Sequence, residues 1–135
     1  KVVAYGADGN KVGETSIHTA GKAAAVALKA DKTVLAADGD DLAYVTVSLV
    51  DKDGNELPTA SDNISVEVSG AASFRGICNG DATSLEVFSQ PRMKLFGGKL
   101  VVTLQAANAP GVATLKVVDK SNKNVKPASV EIQVK

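Results

Sequence analysis

An all-β sandwich is the fold class that this sequence predicts, and three observations carry it. The chain holds 19 Val, 4 Ile and 8 Thr, together 31 of 135 residues, and β-branched side chains pack best on a pleated surface. Its apolar residues alternate with polar ones at period two, the spacing of a half-buried strand, in run after run. Between the runs stand Asp-Gly, Gly-Asn and Pro-Gly pairs, the residues that tight turns require. A chain of 135 residues makes one ordinary domain, or one domain and a piece of a neighbour, so two large catalytic domains are excluded.

The elements follow in order. Residues 1–5 form a short strand, Ala7-Asp8-Gly9-Asn10 turns the chain, and residues 11–19 return, giving a β-hairpin. Ala20-Gly21-Lys22 breaks the pattern and divides the chain into a hairpin, 1–21, and a domain, 22–135. A two-stranded hairpin is marginal alone, so this one is expected to close a preceding domain, or, separated from it, to dock on the sandwich or pair between molecules. Residues 23–32 mix helix formers with alternating Val26 and Leu28 and are read as a strand. The clearest strand is 42–50, where Ala43, Val45, Val47 and Leu49 face in and Thr46 and Ser48 face out. Asp51-Lys52-Asp53-Gly54-Asn55 turns into a strand carrying Ile64, Val66 and Val68.

Residues 71–98 do not alternate, and 28 residues are too many for an idle loop in a compact domain. Thr83-Ser84-Leu85-Glu86 has the form of a capping box opening a short helical turn, with Pro91 as its stop. Leu100, Val102 and Leu104, then Leu115 and Val117, alternate about the turn Ala109-Pro110-Gly111 and are expected to form a hairpin. Val130, Ile132 and Val134 end the chain on one face of a last strand, which Pro127 opens. About seven short strands with turns every ~8 to 12 residues describe an immunoglobulin-like β-sandwich with Greek-key connections.

Composition removes whole classes of function. Fifteen basic residues balance fifteen acidic ones, so no net field favours nucleic acid or an anionic membrane. No uncharged apolar run approaches the ~18 residues of a spanning helix. Cys78 has no partner and His18 is the lone histidine, which excludes an internal disulfide and His-His zinc spacings and leaves no cofactor implied. Cys78 is read as a small buried hydrophobe. Stability must then come from the core alone.

Each candidate constellation has a plainer competitor. Asp81 and Glu86 share the long loop with Arg92, which raises a paired-carboxylate glycosidase site, but a small sandwich offers little concavity for one. The favoured reading is a structural network in which Asn79, Asp81, Ser84, Glu86 and Arg92 satisfy one another and the loop backbone, with Phe74, Phe88 and Phe96 anchoring the loop to the core. Residues 51–62 lack the Gly and Glu positions of an EF-hand, and Asp38-Gly39-Asp40-Asp41 reads as a solvated turn. Gly97-Gly98-Lys99 lacks phosphate-loop spacing. Without Trp, and with its five aromatics scattered, the chain has no stacking platform for sugar, and a glycan partner is not favoured.

The run Ala37-Asp38-Gly39-Asp40-Asp41-Leu42, then Val45-Thr46-Val47 and Asp51-Lys52-Asp53-Gly54-Asn55, resembles bacterial immunoglobulin-like domains of invasins and adhesins. The loop Gly76-x-x-Asn79-Gly80-Asp81-x-x-Ser84-x-Glu86-x-Phe88, followed by Arg92, Phe96 and Gly98, resembles more specifically the C-terminal immunoglobulin-like domain of family 2 glycoside hydrolases of the β-galactosidase type, as found in Bacteroides-like bacteria. Cys78 and Ala82 depart from that pattern. Val2-Val3-Ala4-Tyr5, Gly9-Asn10 and Thr19-Ala20-Gly21 are similar to the closing hairpin of the domain before it. The resemblance implies a non-catalytic accessory part of a larger enzyme whose catalytic glutamates lie in a separate barrel. It also implies partners among the parent's other domains or a second subunit, and a periplasmic or extracellular setting. The chain starts at Lys1 rather than Met, so it is read as an excised piece. A carbohydrate-binding module and an adhesin stalk are the competing readings.

Overall fold

Ala43, Val45, Val47 and Leu49 are completely buried, and the strand that presents them sits inside one of two facing sheets. The structure, a computed structural model, describes residues 1–135. It contains eleven strands: β1 Val2–Tyr5, β2 Lys11–Thr15, β3 Ala25–Ala30, β4 Val34–Leu35, β5 Leu42–Val50, β6 Asn63–Gly70, β7 Ala72–Cys78, β8 Arg92–Lys94, β9 Lys99–Ala106, β10 Gly111–Asp119 and β11 Ala128–Val134. One layer runs β3-β5-β9-β7 and the other β4-β11-β10-β6-β8. All pairings in the two layers are antiparallel except β4 on β11. This is the immunoglobulin-like sandwich that the alternation predicts, with nine strands in place of about seven.

The core is the set of inward residues of both layers. Leu100, Val102, Leu104 and Ala106 on β9 and Ile77 on β7 join the β5 row, and they face Ile64, Val66, Ala113, Leu115, Val117, Ile132 and Val134. Ser48, expected to face solvent, is 5% exposed. It lies on the outer surface between its cross-strand neighbours Ala27 and Lys99.

Two sequence expectations about this layering fail for geometric reasons. β9 and β10 do not form a hairpin: β9 pairs with β5 and β7, and β10 pairs with β6 and β11 in the opposite layer. The Pro110-Gly111 turn therefore carries the chain between sheets, and period-two alternation is the same for both kinds of connection. The stretch 71–98 is not one long loop, because β7 and β8 lie within it. β7 escapes the alternation test through a bulge between Phe74 and Gly76, which lets Phe74 oppose Leu104 and Ile77 oppose Val102. With one extra residue inserted, both side chains point inward at an odd spacing. Cys78 then follows an inward Ile77 and faces out; it is exposed, not buried.

The hairpin β1-β2 is a sheet of its own, and its return strand ends at Thr15 rather than Thr19. Gly9, at φ 76°, supplies the turn, and Asp8 accepts bonds from the backbone and side-chain amides of Asn10. Lys1 and Lys11 both reach Glu14. Val2, Tyr5, Val12 and Ile17 remain exposed, so the hairpin does not dock an apolar face on the sandwich. Its strands alternate too few large apolar residues to build one.

Asp51 ties the linker to the sandwich. It continues the inward row of β5 by one step and is 5% exposed. Its carboxylate accepts bonds from the backbone amides of Gly21, Asp53 and Asn55 and from the Asn55 side chain, at 2.9 to 3.3 Å. Those donors, the Gly21 amide foremost, hold the Asp51 carboxyl well below the usual carboxylate range. A lowered folded value means stability that is present above the unfolded value and lost as pH falls through the folded one. Asp51→Asn is therefore expected to destabilise the chain at pH 7 and to flatten the acid limb of its stability profile. Urea denaturation from pH 7 to pH 2 checks this; an unchanged acid limb would contradict it.

Candidate functional site

Residues 79–91 connect β7 in one layer to β8 in the other. The connection is held by side chains folding back on their own backbone. Asn79 accepts a bond from the Asp81 amide at 3.0 Å and donates through Nδ2 to the Lys94 carbonyl at 3.0 Å. Asp81 Oδ1 accepts from the Thr83 amide and hydroxyl at 2.9 and 2.7 Å. Ser84 Oγ accepts from the Glu86 amide at 3.2 Å. Both carboxylate oxygens of Glu86 take the Lys94 amide, each at 3.2 Å. The expected capping box is absent, since Ser84 and Glu86 make a local turn and no helical residue occurs in the chain.

Four of the seven predicted residues are thus brought together: Asn79, Asp81, Ser84 and Glu86. Arg92 lies on β8 opposite Ser65, and its exposed side chain stays outside the network. Phe88 contributes its carbonyl, which accepts from the Ile77 amide at 2.9 Å and screens the open edge of β7. Its ring and that of Phe96 are half exposed, so neither is a core anchor; only Phe74 packs against the core. Composition could not separate these roles, because a phenylalanine at a sheet-crossing turn reads like one in a core.

Two hollows flank Glu86. The wider, about 700 Å³, is lined by Leu85, Val87 and Gln90 of the loop, by Arg92 and by Asn63 and Lys120. The smaller, about 340 Å³, includes Asp81, Glu86, Lys94 and Phe96 in its wall. Asp81 and Glu86 do border one hollow, where the Thr83 donors hold Asp81 below its ordinary value and Glu86 accepts the Lys94 amide. No three His, Cys, Asp or Glu side chains converge where a metal could bind. Asp38 accepts from the amides of Asp40 and Asp41, and Asp41 accepts from Lys32 and the Ala36 amide, so that acidic turn is self-sufficient.

Sequence reasoning missed Leu85 and Val87. Leu85 is 98% exposed, and Val87 joins Phe88 and Phe96 at more than half. The available signal was a pair of aliphatic residues on either side of an acid in a segment without alternation.

Residues 26–131 match the family described as glycoside hydrolase family 2 C-terminal domain 5. The chain belongs to that family. Within it, a β-galactosidase of Bacteroides ovatus is 40% identical over 107 residues, 79% of this chain and 13% of that protein. A β-galactosidase of Thermoanaerobacter pseudethanolicus is 28% identical over 128 residues, 91% of this chain and 16% of its own length. Among solved structures, a family 2 member from Bacteroides cellulosilyticus superposes with TM-score 0.89 at 29% identity, covering 98% of this chain and 17% of that one. The chain therefore spans only about an eighth to a sixth of these relatives. A domain of intimin shares the fold alone, at TM-score 0.59 and 17% identity.

Proposed function

We propose that this chain is a non-catalytic accessory domain of an exported β-galactosidase-type glycoside hydrolase, and that its 79–98 segment packs against another domain of the parent enzyme or against a second subunit. The observation that carries this is the exposed apolar set Leu85, Val87, Phe88 and Phe96. Leu85, Val87 and Phe88 lie on a loop that its own hydrogen bonds keep in place, and Phe96 lies on the β8–β9 turn, bonded through its backbone to Lys99, so they cannot turn inward to escape water. The relatives' greater length supplies the surface that would cover them. The hairpin, with Val2, Tyr5 and Val12 uncovered, fits the closing strands of a neighbouring domain in the same parent.

The test is made in the parent enzyme. Replacing Leu85 and Phe88 together by Asp is expected to weaken subunit or domain association and lower the melting temperature of the whole enzyme, while the 135-residue chain itself melts as before. An enzyme whose assembly, melting and kcat/KM are all unchanged would refute the reading. The half-exposed rings of Phe88 and Phe96 favour one alternative, a glycan-binding surface. It predicts retention of the isolated chain on an immobilised galactoside, lost in Phe88→Ala and Phe96→Ala.

A further inference from the structure

The inward rows of β6 and β10 both run out into acid. Ile64 and Val66 are preceded at the same spacing by Asp62, and Ala113, Leu115 and Val117 are followed by Asp119. Asp119 pairs across the sheet with Ile64, so the two carboxyl groups lie at the same end of adjacent strands. Asp119 is 3% exposed. Its Oδ1 accepts from the amides of Ser121 and Asn122 at 2.8 and 3.1 Å, whereas its Oδ2 is buried and has no hydrogen-bond partner. Asp62 stands at that same end of the adjacent strand, one inward step before Ile64, which makes its carboxyl a candidate donor to this orphaned oxygen. Two carboxyl groups can share a hydrogen bond only with a proton between them. The contrast with Asp51 is direct, because that carboxylate ends the β5 row in the same way and is saturated by amides.

Surrounding bonds hold the pair in register. The Asn63 amide donates to Ser121 Oγ and the Lys120 amide to the Asn63 carbonyl, both at 2.8 Å, while the Leu95 amide donates to the Asp62 carbonyl at 3.0 Å. The charged groups on the neighbouring elements are Arg92 and Lys94 of β8, Glu86 of the crossing loop, and Lys120, Lys123 and Lys126 after β10. None of these cations forms an ion pair with either carboxylate.

We propose that Asp62 and Asp119 form a proton-held clasp, which tightens this end of the five-stranded sheet in acid and loosens it as pH rises. Burial first, and then the Asp119 charge, pushes the Asp62 carboxyl above its ordinary value of 3.8. A raised folded value gives stability that is complete below the unfolded value and lost as pH rises through the folded one, the opposite sign to Asp51. The clasp adjoins Asn63 and Lys120, which line the wider hollow, so its state bears on the floor beneath the apolar loop.

The test compares thermal melts of the 135-residue chain and Asp62→Asn between pH 4 and pH 8, together with a carboxyl carbon NMR titration of Asp62 in the unaltered chain. The side-chain amide that this substitution introduces donates at every pH, so the variant is expected to melt about 3 °C or more above wild type at pH 8, with the gap closing towards pH 4. Asp62 is expected to titrate above the exposed aspartates. Titration among the exposed aspartates, a variant that melts below wild type at pH 8, or calcium that raises the wild-type melt at pH 8 but not the variant's would each overturn the proposal. The last would mean that a metal ion, rather than a proton, bridges the pair.

Discussion

Leu104→Ala is expected to destabilise the chain by about 3–5 kcal/mol, the upper part of the range for a buried leucine. Leu104 is completely buried on β9, with Ala43 of β5 and Phe74 of β7 as its cross-strand neighbours. Strands on both sides fix its backbone, so the layer cannot slide inward to fill the space. Its small neighbour Ala43 has no side chain to swing into the cavity. No disulfide offsets the loss, since Cys78 stands alone. In urea, the midpoint is expected to fall with the m-value unchanged. A cost below about 1 kcal/mol would show that the core collapses readily and that the two layers are not rigidly held.

Gly70→Ala is expected to be nearly as harmful, at about 2–4 kcal/mol, although it removes nothing. Gly70 ends β6 with φ 83°, and the next strand, β7, begins two residues later in the other layer. A methyl group there would collide with the Val112 carbonyl oxygen. That same oxygen accepts the Ala71 amide at 3.0 Å, so relieving the clash means breaking the bond that sets the sheet crossing. Gly54→Ala is the control, since its φ is 84° and nothing lies within 4 Å of an added Cβ. It bears the left-handed backbone term alone, about 1–2 kcal/mol. Equal losses in the two variants, measured by urea denaturation, would rule out the collision as the cause.

The candidate site was only partly legible beforehand. Asn79, Asp81, Ser84 and Glu86 are residue types whose short polar side chains bond nearby amides, so a non-alternating segment rich in them reads as self-bonded. The Glu86 bond to Lys94 spans eight residues and depends on β8 returning alongside the loop, which no local pattern announces. Arg92 looks like a partner for those acids by charge, but strand pairing with Ser65 sets its direction. Asp62 and Asp119 continue the inward rows of β6 and β10, but the turn-like sequence around each carries no local sign of burial.

Period-two spacing and β-branched composition by themselves determined that this chain folds as a sandwich and which faces of β5, β6, β9, β10 and β11 are buried. These follow from local rules, because successive side chains on a strand point to opposite faces. Tertiary structure alone decided that β9 and β10 lie in different layers, that Cys78 faces out after the bulge, that Leu85 and Phe88 are left uncovered, and that Asp119 is buried across the sheet from Ile64. Each of these depends on which strand lies beside which, and that choice is made by the total apolar area buried between the two sheets rather than by any one segment of the chain.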